Sequence, residues 1–191
     1  MKHLGIILLA MLTVFAASAC SQSNKNNTME KKKVLVVYFS ATGNTKQTAQ
    51  KLSSIMDADL CEIIPTQPYT SADLNWNDKQ SRSSVEMANP QARPDIKPID
   101  FDINDYDYIF LGYPIWWDLA PRVVNTFIES NDLTGKTVIP FATSGGSSIE
   151  ESVAALQRLY PEINWQTGKL LNHLSENDIK TLCNKLGIST L

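Results

Sequence analysis

Apolar residues in this chain fall into two patterns. Short continuous apolar runs alternate with longer stretches that carry a helical stripe. The first run, Val34-Leu35-Val36-Val37-Tyr38-Phe39, has no polar face and is too short for a typical helix. It predicts a strand buried on both sides, as in a parallel sheet. Lys46 to Leu52 follows as a helix, with Ala49 and Leu52 on its inner face. Leu60 to Ile64 predicts a second strand, ended by Pro65 and Pro68. Tyr108 to Gly112 predicts a third, and Ala120 to Glu129 a helix with the stripe Val123, Val124, Phe127 and Ile128. Pro121 sits in its first turn, where proline is tolerated. Thr137 to Ala142 predicts strand four, and Ser148 to Tyr160 a helix with Val153, Leu156 and Leu159 inward. A fifth strand is expected within Ile163 to Leu171. A last helix is expected over Ser175 to Leu186, stopped by Gly187, and Ser175-Glu176-Asn177-Asp178 suits its start.

Between Pro65 and about Asn104 the pattern is weak. Asp78 to Met87 has helical character, with a thin inner face of Ser81, Val85 and Met87. Pro90, Pro94 and Pro98 make Gln91 to Ile99 extended chain. Excursions of this length inside a domain usually carry function or concealed structure. Tyr69, Trp76, Arg82 and Arg93 are available either to cover one side of a ligand or to pack the excursion against the body.

Alternation of strand and helix predicts an α/β fold: a three-layer, doubly wound, five-stranded parallel sheet. Ligands of such sheets bind beyond the carboxyl ends of the strands, where strand order reverses. Three unusual loops follow strands one, three and four, and would converge on that edge. They are Ser40-Ala41-Thr42-Gly43-Asn44-Thr45, Tyr113-Pro114-Ile115-Trp116-Trp117-Asp118 and Thr143-Ser144-Gly145-Gly146-Ser147.

The 191 residues, 43% of them hydrophobic, suit one domain of about 150 residues with a sizeable core. That domain is placed at residues 33–191. Residues 1–19 read as a signal peptide: Lys2 and His3 open it, and an apolar run from Leu4 to Ala16 follows, too short for a comfortable membrane span. Ala17-Ser18-Ala19-Cys20 resembles a bacterial lipoprotein signal, which implies cleavage before Cys20 and its lipidation. Ordinary cleavage nearby, or an uncut anchor, are the alternatives. Residues 20–32 are polar and read as a flexible tether. The expectation is an exported protein, held to the cell envelope through a lipid anchor only and facing the periplasm or exterior.

A net charge of −3 gives no support to nucleic acid as a partner. Cys61 and Cys183 fall in apolar segments on separate elements and are expected as buried free thiols. They show neither C-x-x-C nor zinc spacing. Beyond the leader the one histidine is His173, so a Ser-His-Asp or metal site is hard to build. No metal and no catalytic side chain is expected.

Ser40 to Thr45 enters a helix, whose N-terminus carries free N–H groups and partial positive charge. Ser40, Thr42 and Thr45 add hydroxyls, and Gly43 lets the backbone come close to a ligand. Neither the spaced glycines of a dinucleotide site nor the G-K-[ST] of a triphosphate loop is present here. A phosphate monoester held by neutral donors fits best. An ordinary helix cap with surplus hydroxyls is the alternative.

Following the Val-rich strand, this loop resembles the (S/T)-x-T-G-x-T phosphate loop of flavodoxins. Tyr113-Pro114-Ile115-Trp116-Trp117 resembles the ring-binding segment of bacterial flavodoxin-like proteins, and Thr143 to Ser147 their third loop. Trp165 and Gly168 to Asn172 resemble their fifth-strand region, so the likeness runs from Lys33 to the end. It implies strand order 2-1-3-4-5, the arrangement for which flavodoxins are the type example, with FMN at the switch between strands one and three. It implies phosphate binding by Ser40 to Thr45. It implies ring contacts from Pro114, Ile115, Trp116 and Trp117, and contacts to the polar ring edge from Thr143, Ser144, Gly145, Gly146 and Ser147. Many relatives have Gly after the Trp pair, where this chain has Asp118, and a carboxylate near the flavin would disfavour its anionic reduced form. The expected function is electron transfer through FMN with a redox partner protein or a small acceptor such as a quinone. An FMN-dependent NAD(P)H:quinone-type oxidoreductase and a flavin-free binding lipoprotein are the alternatives.

Overall fold

The computed structural model describes residues 32–172 and 175–188. The expectations for the leader, Cys20, the tether up to residue 31 and His173 lie outside them. Strand β1 (Val34–Tyr38) is buried throughout. Helix α1 (Asn44–Met56) leads to β2 (Asp59–Glu62). The excursion follows, containing a short helix α2 (Arg82–Ala88) and a 3₁₀ turn (Ile103–Asp105). Then come β3 (Tyr108–Pro114), α3 (Arg122–Glu129), β4 (Thr137–Thr143) and α4 (Glu150–Leu159). Two short strands, β5 (Asn164–Trp165) and β6 (Lys169–Leu170), and helix α5 (Glu176–Lys185) end the chain. All strand pairings are parallel, in the order β2-β1-β3-β4-β5, with β6 also on β4.

Alternate residues of a doubly covered strand point to opposite faces. Val34, Val36 and Tyr38 enter the core shared with α1 and α5. Leu35 and Val37, with Phe39 just beyond the strand, enter the core shared with α3 and α4. This is why the sequence shows continuous apolar runs, and it makes the three layers. Gly112 on β3 permits a close approach: a Cβ there would lie 2.1 Å from Cζ of Phe141 on the neighbouring strand.

The expected single fifth strand is instead split. Asn164 and Trp165 pair with Thr137 and Val138, whereas Lys169 and Leu170 pair with Phe141 and Ala142. The register slips by one residue between the two halves, the mark of a bulge. Pro140 lies opposite the break and has no N–H to give the ladder, and bulges are where sheets accommodate proline. Gly168 fills the gap closely, since a Cβ would lie 2.7 Å from Val153 Cγ2.

Three inward assignments change. Val85 is 51% exposed and Leu159 faces solvent, while Ser83 joins Ser81 and Met87 in the buried face of α2. The moment of so short a helix is too weak to fix its rotation from sequence. The excursion is closed at its base by antiparallel bonds: Thr66 N–H donates to Asp95 O (2.8 Å) and Lys97 N–H to Ile64 O (2.8 Å). Cys61 and Cys183 are buried and free, and burial pushes both thiols up to about 11. Among the described residues no helix is long and apolar enough to cross a membrane.

Candidate functional site

Helix α1 starts two residues earlier than its apolar stripe suggests. Gly43 is its N-cap, at φ 93°, a left-handed conformation that glycine adopts without strain. No side chain caps the helix and no acidic residue lies in its first turn. Ser40 Oγ instead accepts the N–H of Gly43 (3.1 Å), which shapes the loop. The first-turn N–H groups therefore stay available for an anion. Lys46, in the first turn of α1, is bound to Glu62 (2.9 Å).

Strand β3 ends in a tight hairpin. Trp116 and Leu119 exchange backbone hydrogen bonds, each 2.9 Å, around Trp117 and Asp118. Both central residues have positive φ, 46° and 60°, as a type I′ turn requires. That turn separates the two tryptophans. Trp116 packs inward, edge-on to Phe39 (5.7 Å between ring centroids) and Tyr69 (5.3 Å). Trp117 is 47% exposed.

Tyr69 anchors the excursion to this loop. Its hydroxyl donates to Glu86, Arg82 stacks on its ring (4.1 Å), and Arg82 Nε pairs with Glu86 (2.6 Å). Burial, and then the Glu86 carboxylate, push the Tyr69 phenol far above its ordinary value, so it stays protonated. Arg93 is elsewhere, held by two bonds to Glu129 (2.7 and 2.8 Å).

The loop after β4 is tied to both neighbours. Thr143 and Thr45 share a buried hydroxyl–hydroxyl bond of 2.8 Å. Ile115 N–H donates to Thr143 O (2.9 Å). Ser144 and Asn172 exchange hydrogen bonds, with Ser144 N–H donating to Asn172 Oδ1 at 2.8 Å.

These loops enclose a cleft of about 680 Å³ at the carboxyl ends of β1, β3 and β4. Of the expected residues, Ala41, Thr42, Asn44, Thr45, Pro114, Ile115, Trp116, Trp117, Thr143, Ser144 and Gly145 line it. Ser40 and Gly43 are not among the lining residues; their mutual hydrogen bond shapes the loop. Gly146 and Ser147 are not among the lining residues, and Gly146 N–H is used by Ser144 Oγ (3.1 Å). Gln47, Thr48, Leu74, Trp76, Ser83 and Asn172 complete the wall. Gln47 and Thr48 share a helix face with Asn44, so their spacing was a usable signal. Leu74 and Ser83 gave none, because the excursion brings them in. No lining side chain among the described residues carries a charge, and Asp118 is not one of them. Nor do these residues include a metal-binding group of acids, cysteines and histidines.

Together, the sheet and cleft define a doubly wound α/β protein with a cleft free of charged lining side chains where strand order reverses between β1 and β3. A flavodoxin family model matches residues 33–186, and the chain belongs to that family. Among solved structures, it resembles a protein from Bacteroides eggerthii described as a candidate flavoprotein. The identity is 55%, coverage is 83% of this chain and all of that one, and the TM-score is 0.81. A similarly described protein from Bacteroides uniformis is 50% identical over 81% of this chain and 99% of its own, with TM-score 0.77. A flavoprotein from Lactobacillus acidophilus, solved in complex with FMN, is 23% identical over 82% and 99%, with TM-score 0.64, and shares the fold. A comparison with curated proteins finds no match.

Proposed function

We propose that this protein binds FMN in the cleft and passes electrons between a donor and an acceptor. The observation that carries the reading is the uncharged cleft lined both by an uncapped helix N-terminus and by tryptophans. Family membership and the FMN held by the Lactobacillus relative support the choice of cofactor.

Ser40 to Thr45 would hold the phosphate through hydroxyls and the first-turn N–H groups of α1. No cation is needed, because a helix N-terminus stabilises an anion through aligned dipoles and free donors. Trp116 and Trp117, with Pro114 and Ile115, would hold the flat ring. Thr143 to Ser147 would offer backbone groups to its polar edge, braced by the Thr45–Thr143 and Ser144–Asn172 bonds. Bound FMN supplies the redox chemistry, accepting and returning electrons. The chain's own part is to orient it, exclude water from one face and keep charge away from it.

The electron partner is proposed as a redox protein or a small acceptor such as a quinone. An NAD(P)H:quinone-type reductase is the second reading, favoured by Leu74 and Trp76, which extend the wall beyond the three loops. NAD(P)H oxidation without a partner protein separates the two. Export and lipidation at Cys20 are proposed from the leader sequence, and Cys20→Ser abolishes palmitate labelling if they hold.

The functional test is an absorption and fluorescence titration of the domain from Lys33 with FMN. Bound flavin bands and quenched tryptophan emission are expected. Neither appearing sinks the flavin reading and leaves a flavin-free binding protein.

A further inference from the structure

A buried polar side chain ordinarily has a partner, and among the described residues all but one do. Ser81 Oγ donates to Ser84 Oγ (2.9 Å), Ser152 Oγ to Ile149 O (2.8 Å) and Asn125 Nδ2 to the Tyr160 hydroxyl (3.0 Å). Thr45 and Thr143 bond each other, and Arg122 donates to Met87 O (2.9 Å). Ser83 is the exception among the described residues. It is 2% exposed, its Oγ has no hydrogen-bond partner, and it lines the cleft.

Local structure explains the missing bond. A helical serine often turns its hydroxyl back to the carbonyl four residues earlier. Ser83 is the second residue of α2, so Lys79 lies outside the helix and offers no such acceptor. Its position is nevertheless fixed. Ser83 N–H donates to Asp73 O (3.0 Å), and its neighbour Arg82 is locked to Tyr69 and Glu86, with Tyr69 packed on Trp116. The excursion thus brings to the cleft wall a residue whose desolvated hydroxyl the fold leaves unpaired.

We propose that the excursion between β2 and β3 is part of the ligand site and that the Ser83 hydroxyl donates a hydrogen bond to bound FMN. Leu74 and Trp76, the latter 71% exposed, form the wall beside it. This rests on the flavin reading above and adds a fourth segment to the three loops that the sequence marks.

The test is Ser83→Ala, compared with wild type by FMN titration and by thermal melting of the apo domain. One net hydrogen bond corresponds to an FMN Kd raised about two- to twelvefold. Apo melting is expected to be unchanged or raised, because the variant removes a buried group that the empty protein leaves unpaired. A Kd within twofold of wild type overturns the inference. So does a raised Kd accompanied by melting several degrees lower, since the hydroxyl would then be supporting the apo fold. Wild type failing to bind FMN is a different result and overturns the parent reading.

Discussion

Helices α1 and α5 lie on the same face of the sheet but begin in opposite ways. Ser175 at the start of α5 accepts the N–H of Asp178, and Asp178 accepts the N–H of Ser175, a complete capping box. Acidic Glu176 and Asp178 complement its dipole. Helix α1 has a glycine at its N-cap, no capping side chain and no acid. Its nearest buried hydroxyl, Thr45, bonds across to Thr143. One helix start is satisfied from within its own sequence. The other keeps its donors open and spends its hydroxyl on aligning a second loop. The lesson lies in where the open start falls: α3 also begins without a capping side chain or a first-turn acid, but only at α1 do the first-turn residues, Asn44 and Thr45, line the cleft.

Making α1 resemble α5 should break the contrast most strongly. Thr42→Asp places a carboxylate where the FMN phosphate is proposed to sit. Unit charges 4 Å apart at an effective dielectric near 20 repel by about 4 kcal/mol, or roughly a thousandfold in Kd. The same acid next to a bare helix start is expected to stabilise the apo protein by ~0.3–1 kcal/mol. Titration and urea unfolding should thus move in opposite directions, and weakened binding with weakened folding would refute the reading.

The Thr45–Thr143 bond gives the next effect. Thr45→Val strands the buried Thr143 hydroxyl and should cost about 1–3 kcal/mol in unfolding stability. The double variant with Thr143→Val should recover most of that loss, because removing both partners is nearly neutral. A double variant no better than the single would mean that the bond is not what aligns the loops.

At α5, Ser175→Ala should cost about 1 kcal/mol and leave FMN affinity unchanged. Any change in affinity beyond twofold would mean that the two helix starts are not independent.

The smallest effect is a pH dependence. The Ser175 hydroxyl and backbone N–H hold the Asp178 carboxyl below its ordinary value. A depressed folded-state pKa adds stability that is present above the unfolded value, near 4. That stability is lost as pH falls through the folded value. Asp178→Asn should therefore flatten the acid side of the stability curve below about pH 4. Unfolding from pH 7 down to 2 would read this, and a parallel curve would discount the cap.

The family and four of the strands were legible because their signals are local. A buried parallel strand must be apolar on both faces, so β1, β3 and β4 stand out as runs, whereas β2, an edge strand with Cys61 alone buried, shows only through the short segment Leu60 to Ile64. The loop Ser40 to Thr45 is legible for the same reason, since glycine, hydroxyls and helix start are contiguous. The Ser175 to Asp178 box was also visible, being complete within four residues. The rest depended on partners far away in sequence. Which tryptophan turns inward follows from the turn at Trp117 and Asp118 and from Phe39 and Tyr69, which receive Trp116. The break in the fifth strand follows from Pro140 on its neighbour.

By itself, then, the sequence determined the alternating α/β architecture and the phosphate-type loop, because hydrophobic period and backbone freedom are written residue by residue. Only the tertiary structure decided that the cleft is uncharged and that Leu74, Trp76 and Ser83 complete it. Those facts are set by how a 40-residue excursion with little periodicity folds back onto the sheet. It does so through Tyr69, which joins Trp116 to the Arg82–Glu86 pair; that pair is local to α2, but nothing local encodes its meeting with Tyr69 and Trp116.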